Sequence, residues 1–277
     1  MNIPQRNTHL SVVLSRDEVL AILRLVNLSD IPGLGEEPIP GLSPEQQALS
    51  LIVAERGLRA RGLAVIDAEG RLRLHSDVLR MLGVCAAPSL SLYVTLTALP
   101  AGEVKQLIAH LREDTWVLQT RPEPVLHAFM QLDNWPQVLQ QLRAFCQWPS
   151  PSPKNNFHLT IPTETLKTVQ ELVAEAKLNE ANHQIIEAGN SLDDAAKLTT
   201  LLSQPHIVTV IQQVSIKSTD SVAIQSVTLL YGNDSDFLVA RQLGGAEAKD
   251  GMTTIQPIEA DGLDQLLTKM ILQDVKL

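Results

Sequence analysis

Seven histidines, two cysteines and a cluster of arginines are the side chains of this 277-residue chain with the most chemistry to offer. The histidines are His9, His75, His110, His127, His158, His183 and His206. No two stand at the i, i+4 spacing of a helical zinc motif, and none pairs with a cysteine at finger spacing, so the pattern assigns no metal site. His110 and His127 fall on neighbouring strand candidates and could approach each other; satisfied structural histidines are the expected outcome. Cys85 and Cys146 stand far apart, as buried free thiols of a reducing compartment do. Gly33-Leu-Gly35 and Gly244-Gly245 lack the Lys-Ser/Thr context of a phosphate loop, and no Gly-x-Ser-x-Gly elbow occurs. The acidic pairs Glu36-Glu37 and Asp193-Asp194 are accounted for by loop solvation and helix capping. The sequence therefore assigns no catalytic residue and no cofactor, and the expectation is a protein that is not an enzyme.

The arginines need a separate reading. Arg56, Arg59, Arg61, Arg71, Arg73 and Arg80 fall within 25 residues. A helix, a hairpin tipped by Gly70 and a further helix give residues 44–82 a winged-helix outline. In that alternative the chain is a DNA-binding regulator, with Arg56, Arg59, Arg61, Arg71 and Arg73 on phosphates. Against it, Glu55, Asp67, Glu69 and Asp77 are interspersed, no aromatic or amide cluster offers base reading, and the whole chain carries a net charge of −9. An acidic chain does not advertise a phosphate-binding surface. A solvated charged face is the favoured reading of this segment, and nucleic acid is not the expected partner.

With 44% hydrophobic residues and 19% charged ones, the composition is that of a globular protein. The run Leu10 to Leu14 is too short for a secretory signal. Met81 to Gly102 and Leu198 to Ile216 carry no charge, yet both contain proline and interleave polar residues, so each reads as a loop entering a buried strand rather than a membrane span. A cytoplasmic protein is expected. The sequence is silent on oligomeric state.

The elements that must position these residues follow from periodicity and caps. Ser15 caps a first helix with Val19, Ile22, Leu23 and Val26 as its stripe. Ser43-Pro44 opens a second, with Leu49, Ile52, Val53 and Leu58 on the face expected to be buried. Leu63–Ile66 and Leu72–Leu74 flank Asp67-Ala-Glu-Gly70 as a hairpin. Ser76 caps a short helix to Leu82. Leu90, Leu92, Val94 and Leu96 alternate with polar residues as a strand. Val104–Leu111, Trp116–Thr120 and Val125–Leu132 follow at meander spacing, and a helix from Asn134 closes the series. Pro149 to Asn156, with three alternating prolines, is a linker. Beyond it come helices at Thr163–Lys177, Asn179–Ala188 and Leu192–Leu202, strands at Ile207–Ile216, Val222–Tyr231, Phe237–Arg241 and Met252–Ile258, a turn at Gly232–Asp234, and a last helix from Asp261 to Leu272.

The order repeats. Each half reads helices, short helix, proline, four strands, closing helix. Ala87-Pro88 corresponds to Gln204-Pro205, and Leu139-Gln-Gln-Leu142 to Leu263-Asp-Gln-Leu266. The longer connection at Gly244 to Gly251 accounts for the greater length of the second meander. The expected fold class is α+β: two related helix-plus-antiparallel-meander repeats, residues 1–149 and 157–277, joined by a linker at 150–156. Two such copies cover each other's apolar faces most simply about a quasi-twofold axis. The first 149 residues hold twelve arginines and one lysine against fifteen carboxylates; the remainder holds one arginine and eight lysines against sixteen. The two halves therefore present different surfaces.

Leu58-Arg-Ala-Arg-Gly-Leu63, Asp67-Ala-Glu-Gly70-Arg-Leu72, Leu79 to Leu82 and Ala87-Pro88 together resemble the amino-terminal part of the EspG family of ESX (type VII) secretion-associated proteins. Ile255-Gln-Pro257 to Met270 is similar to that family's carboxy-terminal helix. The resemblance implies a quasi-symmetric central antiparallel sheet flanked by two helical bundles. It implies a cytosolic chaperone that holds a helical secretion substrate, in the known cases a PE–PPE pair, and shields its apolar tip. An apolar groove between sheet and bundle on a rigid scaffold suits such a task. No motif here maps the partner-contacting residues.

Overall fold

The computed structural model describes residues 10–28, 30–35, 41–148, 157–218, 221–232, 238–242 and 251–274. The Pro149–Asn156 linker, most of the Gly232–Asp234 turn and most of the Gly244–Gly251 connection lie outside them. In chain order the elements are β1 (Ser11–Ser15), α1 (Arg16–Leu25), α2 (Pro44–Ala60), the hairpin β2 (Ala64–Ile66) and β3 (Leu72–Leu74), α3 (Ser76–Ala86), β4 (Leu90–Leu99), β5 (Glu103–Arg112), β6 (Thr115–Glu123), β7 (Leu126–Leu132) and α4 (Trp135–Cys146). Then follow β8 (Leu159–Pro162), α5 (Thr163–Ala174), α6 (Leu178–Glu187), α7 (Leu192–Ser203), β9 (His206–Ser218), β10 (Ser221–Gly232), β11 (Leu238–Gln242), β12 (Met252–Pro257) and α8 (Ala260–Asp274).

Ten strands form one sheet in the order β1-β7-β6-β5-β4-β9-β10-β11-β12-β8, and β2-β3 stand apart as a hairpin. The registered pairings β1–β7, β6–β7, β5–β6, β10–β11, β11–β12 and β8–β12 are all antiparallel. The order has the same form from either end. A strand that precedes the helices pairs with the last meander strand, and the meander then runs inward. The class is α+β, as the periodicities require.

Two strands escape periodicity. β1 and β8 are runs of five and four residues that pass directly into α1 and α5. Each is recruited by a partner far along the chain: Val12 faces Phe129, and Ile161 faces Thr253. Local pattern holds no trace of such pairing.

One compact unit comprises Met1–Leu92, Gln106–Gln141 and Ser215–Val222. Ser15 begins α1 with a full capping box: its hydroxyl accepts from the Glu18 N–H at 3.1 Å, and its own N–H donates to the Glu18 carboxylate at 2.8 Å. Val19, Ile22 and Leu23 then bury against Leu58, Val78, Met81, Val117 and Phe129, while Val26 falls at the helix end and stays exposed. The cap of α3 is His75 rather than Ser76, and the helix runs on to Ala86. The loop expected before β4 is therefore the end of a helix. The expected buried face of α2 is corrected more sharply. Only Ala54 and Leu58 are buried, and Leu49, Ile52 and Val53 face outward, because α2 rests on α1 and β2 along a narrow stripe.

The other unit comprises Tyr93–Lys105, Leu142–Val214 and Ala223–Leu277. Ser191 caps α7 by accepting from the Asp194 N–H at 3.1 Å. Helices α5, α6 and α7 pack on one another and on β8, β11 and β12 through Val169, Ala181, Ile185, Leu198, Ile161 and Ile255. On the opposite face of β10, Tyr231 donates its hydroxyl to the Cys146 carbonyl at the end of α4.

Candidate functional site

The strands β9 and β10 are 13 and 12 residues long, whereas β12 has only six. The three-helix layer covers the shared end, where Leu230, Leu238, Ala240 and Ile255 are buried. Beyond that cover, β9 and β10 extend past α5. Alternation places Val208 and Gln212 of β9 and Ile224, Ser226 and Thr228 of β10 on the same face as Leu230. A groove of about 880 Å³ opens between this bare stretch of sheet and the first turns of α5, which contribute Thr163, Leu166 and Gln170. Ile224 is 66% exposed on its floor.

The chemistry of this groove is uniform. Among the described residues its walls carry aliphatic, hydroxyl and amide side chains and no charge. Thr163 holds one rim by donating to the Gly251 carbonyl and facing the Thr253 hydroxyl at 3.0 Å. Among the described residues the groove presents no histidine, cysteine, carboxylate, lysine or arginine. It can bury apolar surface and exchange hydrogen bonds with an uncharged backbone or side chain.

A buried polar chain lies in the other unit. The Ser91 hydroxyl is 2.9 Å from His110 Nδ1, and His110 Nε2 is 3.2 Å from Gln119 Oε1. A serine beside a histidine has the outline of a nucleophile and its base, but the third member is an amide, and all three residues are buried. No substrate reaches the hydroxyl. Burial pushes His110 down to about 4, against a smaller upward pull from Gln119. His127 is also pushed to about 4, by burial and then by the charges of Arg121 and Arg16. The two histidines sit on β5 and β7 with β6 between them, which corrects the expectation that they lie on neighbouring strands. Among the described residues no cluster of three or more His, Cys, Asp or Glu could hold a metal ion. Cys85 and Cys146 are free and buried.

The arginines do not converge. Arg61, just past α2, donates to both oxygens of Glu18 at 2.8 and 3.1 Å and to the Val13 carbonyl. Arg73 lies 2.8 Å from Asp67, Arg71 pairs with Glu69 and Asp67, and Arg80 lies 2.9 Å from Asp77. The backbone N–H of Arg71, and then the Arg73 guanidinium, hold the Asp67 carboxyl below its usual range. Arg56 and Arg59 stand exposed on α2. Internal carboxylates thus already satisfy Arg61, Arg71 and Arg73, which removes most of the charge a phosphate backbone would need. Sequence reasoning had no signal for the uncharged groove, because it arises from unequal strand lengths across distant segments. Among the described residues no helix is long and apolar enough to cross a membrane.

No family model matches the chain, and no curated protein matches it. Among solved structures it is similar to the Mycobacterium tuberculosis type VII secretion system chaperone EspG5, solved in complex with a PE25–PPE41 dimer. The match covers 96% of this chain and 97% of that one, with a TM-score of 0.66 and 16% identity. The chain has an EspG-like fold.

Proposed function

We propose that this chain is a non-enzymatic chaperone of the cytoplasm that seats the end of a helical partner protein in the groove between α5 and the overhanging β9–β10 ribbon. The observation that carries the reading is a groove with an exposed Ile224 at its floor and no charge among its described lining residues, on a scaffold shaped like a secretion chaperone. An uncharged, half-apolar groove takes a helical tip whose apolar residues would otherwise aggregate, and its Gln, Ser and Thr groups satisfy the free backbone groups at a helix end. By likeness to EspG5, the partner is a secreted helical pair of a type VII pathway.

The two runs 1–149 and 157–277 fit best as diverged copies of one ancestral unit. The matching element order and the two-way reading of the sheet order support this.

The test is affinity capture of the full chain from its native host, compared with Ile224→Glu and with Val208→Glu. The wild type is expected to recover a helical protein that both substitutions release while circular dichroism of the chaperone stays unchanged. Retention of the same partner by both variants would refute the groove. Recovery of no helical protein would refute the function.

A further inference from the structure

The outward side of α2 is apolar. Leu49, Ile52 and Val53 are 61%, 48% and 58% exposed, and continuing the same helical step leads to Arg56 and Arg59. A solvent-facing stripe is thus aliphatic along the middle of α2 and cationic towards its C-terminal end. Opposite it, α1 ends on Arg24 and on Leu25, itself 46% exposed. Between the two helices runs a groove of about 540 Å³ lined by Ala21, Arg24, Leu25, Leu51, Ile52 and Glu55. In the other unit α5, α6 and α7 all pack on one another. Here α3 lies chiefly on β6 and β7 and meets α1 in the shared core through Val78 and Met81, so among the described residues no helix covers the outward sides of α1 and α2.

Charge narrows what can fill that place. Among the described residues Arg24, Arg56 and Arg59 make no ion pair, whereas Arg61, Arg71, Arg73 and Arg80 all do. Among the described residues that line the groove, Glu55 is the one carboxylate. The result is a locally positive, apolar patch on a chain of net charge −9. The rest of such a chain repels anionic ligands, so an acidic partner is steered to this face.

We propose that the α1–α2 groove seats an amphipathic α-helix of a partner protein that carries carboxylates beside its apolar stripe. Its aliphatic residues rest on Leu25, Ile52 and Val53, completing a three-helix arrangement at ordinary interaxial distance. Its carboxylates meet Arg56 and Arg59, so its acidic end lies over the C-terminal end of α2. This site belongs to the unit that lacks the uncharged groove, and it stands whether or not that groove takes a partner.

The test is fluorescence anisotropy of the full chain with a labelled amphipathic helical peptide, leucines at three- and four-residue spacing and glutamates clustered at one end. The control peptide has lysine in place of each glutamate. The glutamate peptide is expected to bind saturably and at least about tenfold more tightly than the lysine peptide. Arg56→Glu with Arg59→Glu is expected to reverse that preference, and Ile52→Glu to remove binding of both. All three positions are exposed, so the fold is retained, which far-UV circular dichroism verifies. Ile224→Glu, in the uncharged groove, is expected to leave peptide binding unchanged. Equal binding of the two peptides, binding of neither, or loss of binding with Ile224→Glu would overturn the proposal. So would a dimer of the chain that Ile52→Glu dissociates, because a second copy would then be what covers this face.

Discussion

His110 joins two strands of the sheet by its ring, with Nδ1 2.9 Å from the Ser91 hydroxyl and Nε2 3.2 Å from the Gln119 amide oxygen. Both neighbours are uncharged, so only the weak pull of the Gln119 amide oxygen favours a proton on the imidazole, and burial outweighs it. His127, stacked on Phe129 at 6.4 Å between centroids, has no hydrogen-bond partner at either ring nitrogen among the described residues and senses the charges of Arg121 and Arg16.

These two environments predict acid sensitivity. Both rings are held near 4, against an ordinary value of 6.5. Between those values the unfolded chain binds protons that the folded chain refuses, so stability is full above about pH 6.5 and falls as the pH drops towards about 4. The loss is on the order of 3 kcal/mol per ring at most. Chemical denaturation across that window measures it. His127→Phe is expected to flatten the slope by roughly half, and an unchanged slope would refute the assignment.

Gly33 predicts a steric cost separable from a backbone one. Its φ is +77°, and a Cβ there would collide with the Ile108 side chain. Gly62 has a similar φ of +71° with nothing within 4 Å of its Cβ position. Gly62→Ala is expected to cost about 1 kcal/mol, the left-handed penalty alone. Gly33→Ala is expected to cost about 1–3 kcal/mol more, because Ile108 must leave its rotamer. Equal thermal shifts for the two variants would show that the connection over Ile108 moves freely.

Much of this fold is legible in the sequence, and the exceptions share one cause. Ser15 was readable as a cap and Ser43-Pro44 as a helix start because the capping bond is local. The alternation at Leu90 to Leu96 was readable because burial of one face is periodic. Leu10 to Leu14 was not readable as a strand, because its partner lies at Leu126–Met130 and only that distant pairing makes it β-structure. The apolar residues of α2 misled for a related reason. Leu49, Ile52 and Val53 have the spacing of a core face, but only the neighbouring helices decide whether that face meets core or solvent. The uncharged groove was hidden because it depends on β9 and β10 outrunning α5, a matter of relative lengths and not of residue type.

The thiols predict chemical silence. Burial pushes Cys146 up to about 12 and Cys85 higher still, so neither forms the reactive thiolate near neutral pH. Ellman's reagent is expected to label neither in the native protein and both after denaturation. Fast labelling of Cys85 in the native state would mean that α3 opens from the core it shares with Val117 and Phe129.

Glu18 predicts a coupling between capping and helix packing. Its side chain, only 9% exposed, closes the capping box on Ser15 and accepts from Arg61, which also donates to the carbonyl of Val13. One carboxylate thus ties β1, the start of α1 and the end of α2 together. Glu18→Ala removes the reciprocal half of the capping box, while the Ser15 hydroxyl still accepts from the N–H of residue 18, and leaves the guanidinium with the Val13 carbonyl alone, at an expected cost of about 1–2 kcal/mol. Glu18→Gln keeps an acceptor for the Ser15 N–H and loses the charge, so it should cost less. Arg61→Ala should cost under about 1 kcal/mol, since the guanidinium is half exposed and screened by solvent. The double variant separates the roles. If Arg61 acts through the carboxylate, Glu18→Ala with Arg61→Ala is no worse than Glu18→Ala alone. If instead the two costs add in full, the carboxylate and the guanidinium act independently and the link between α1 and α2 does not run through them.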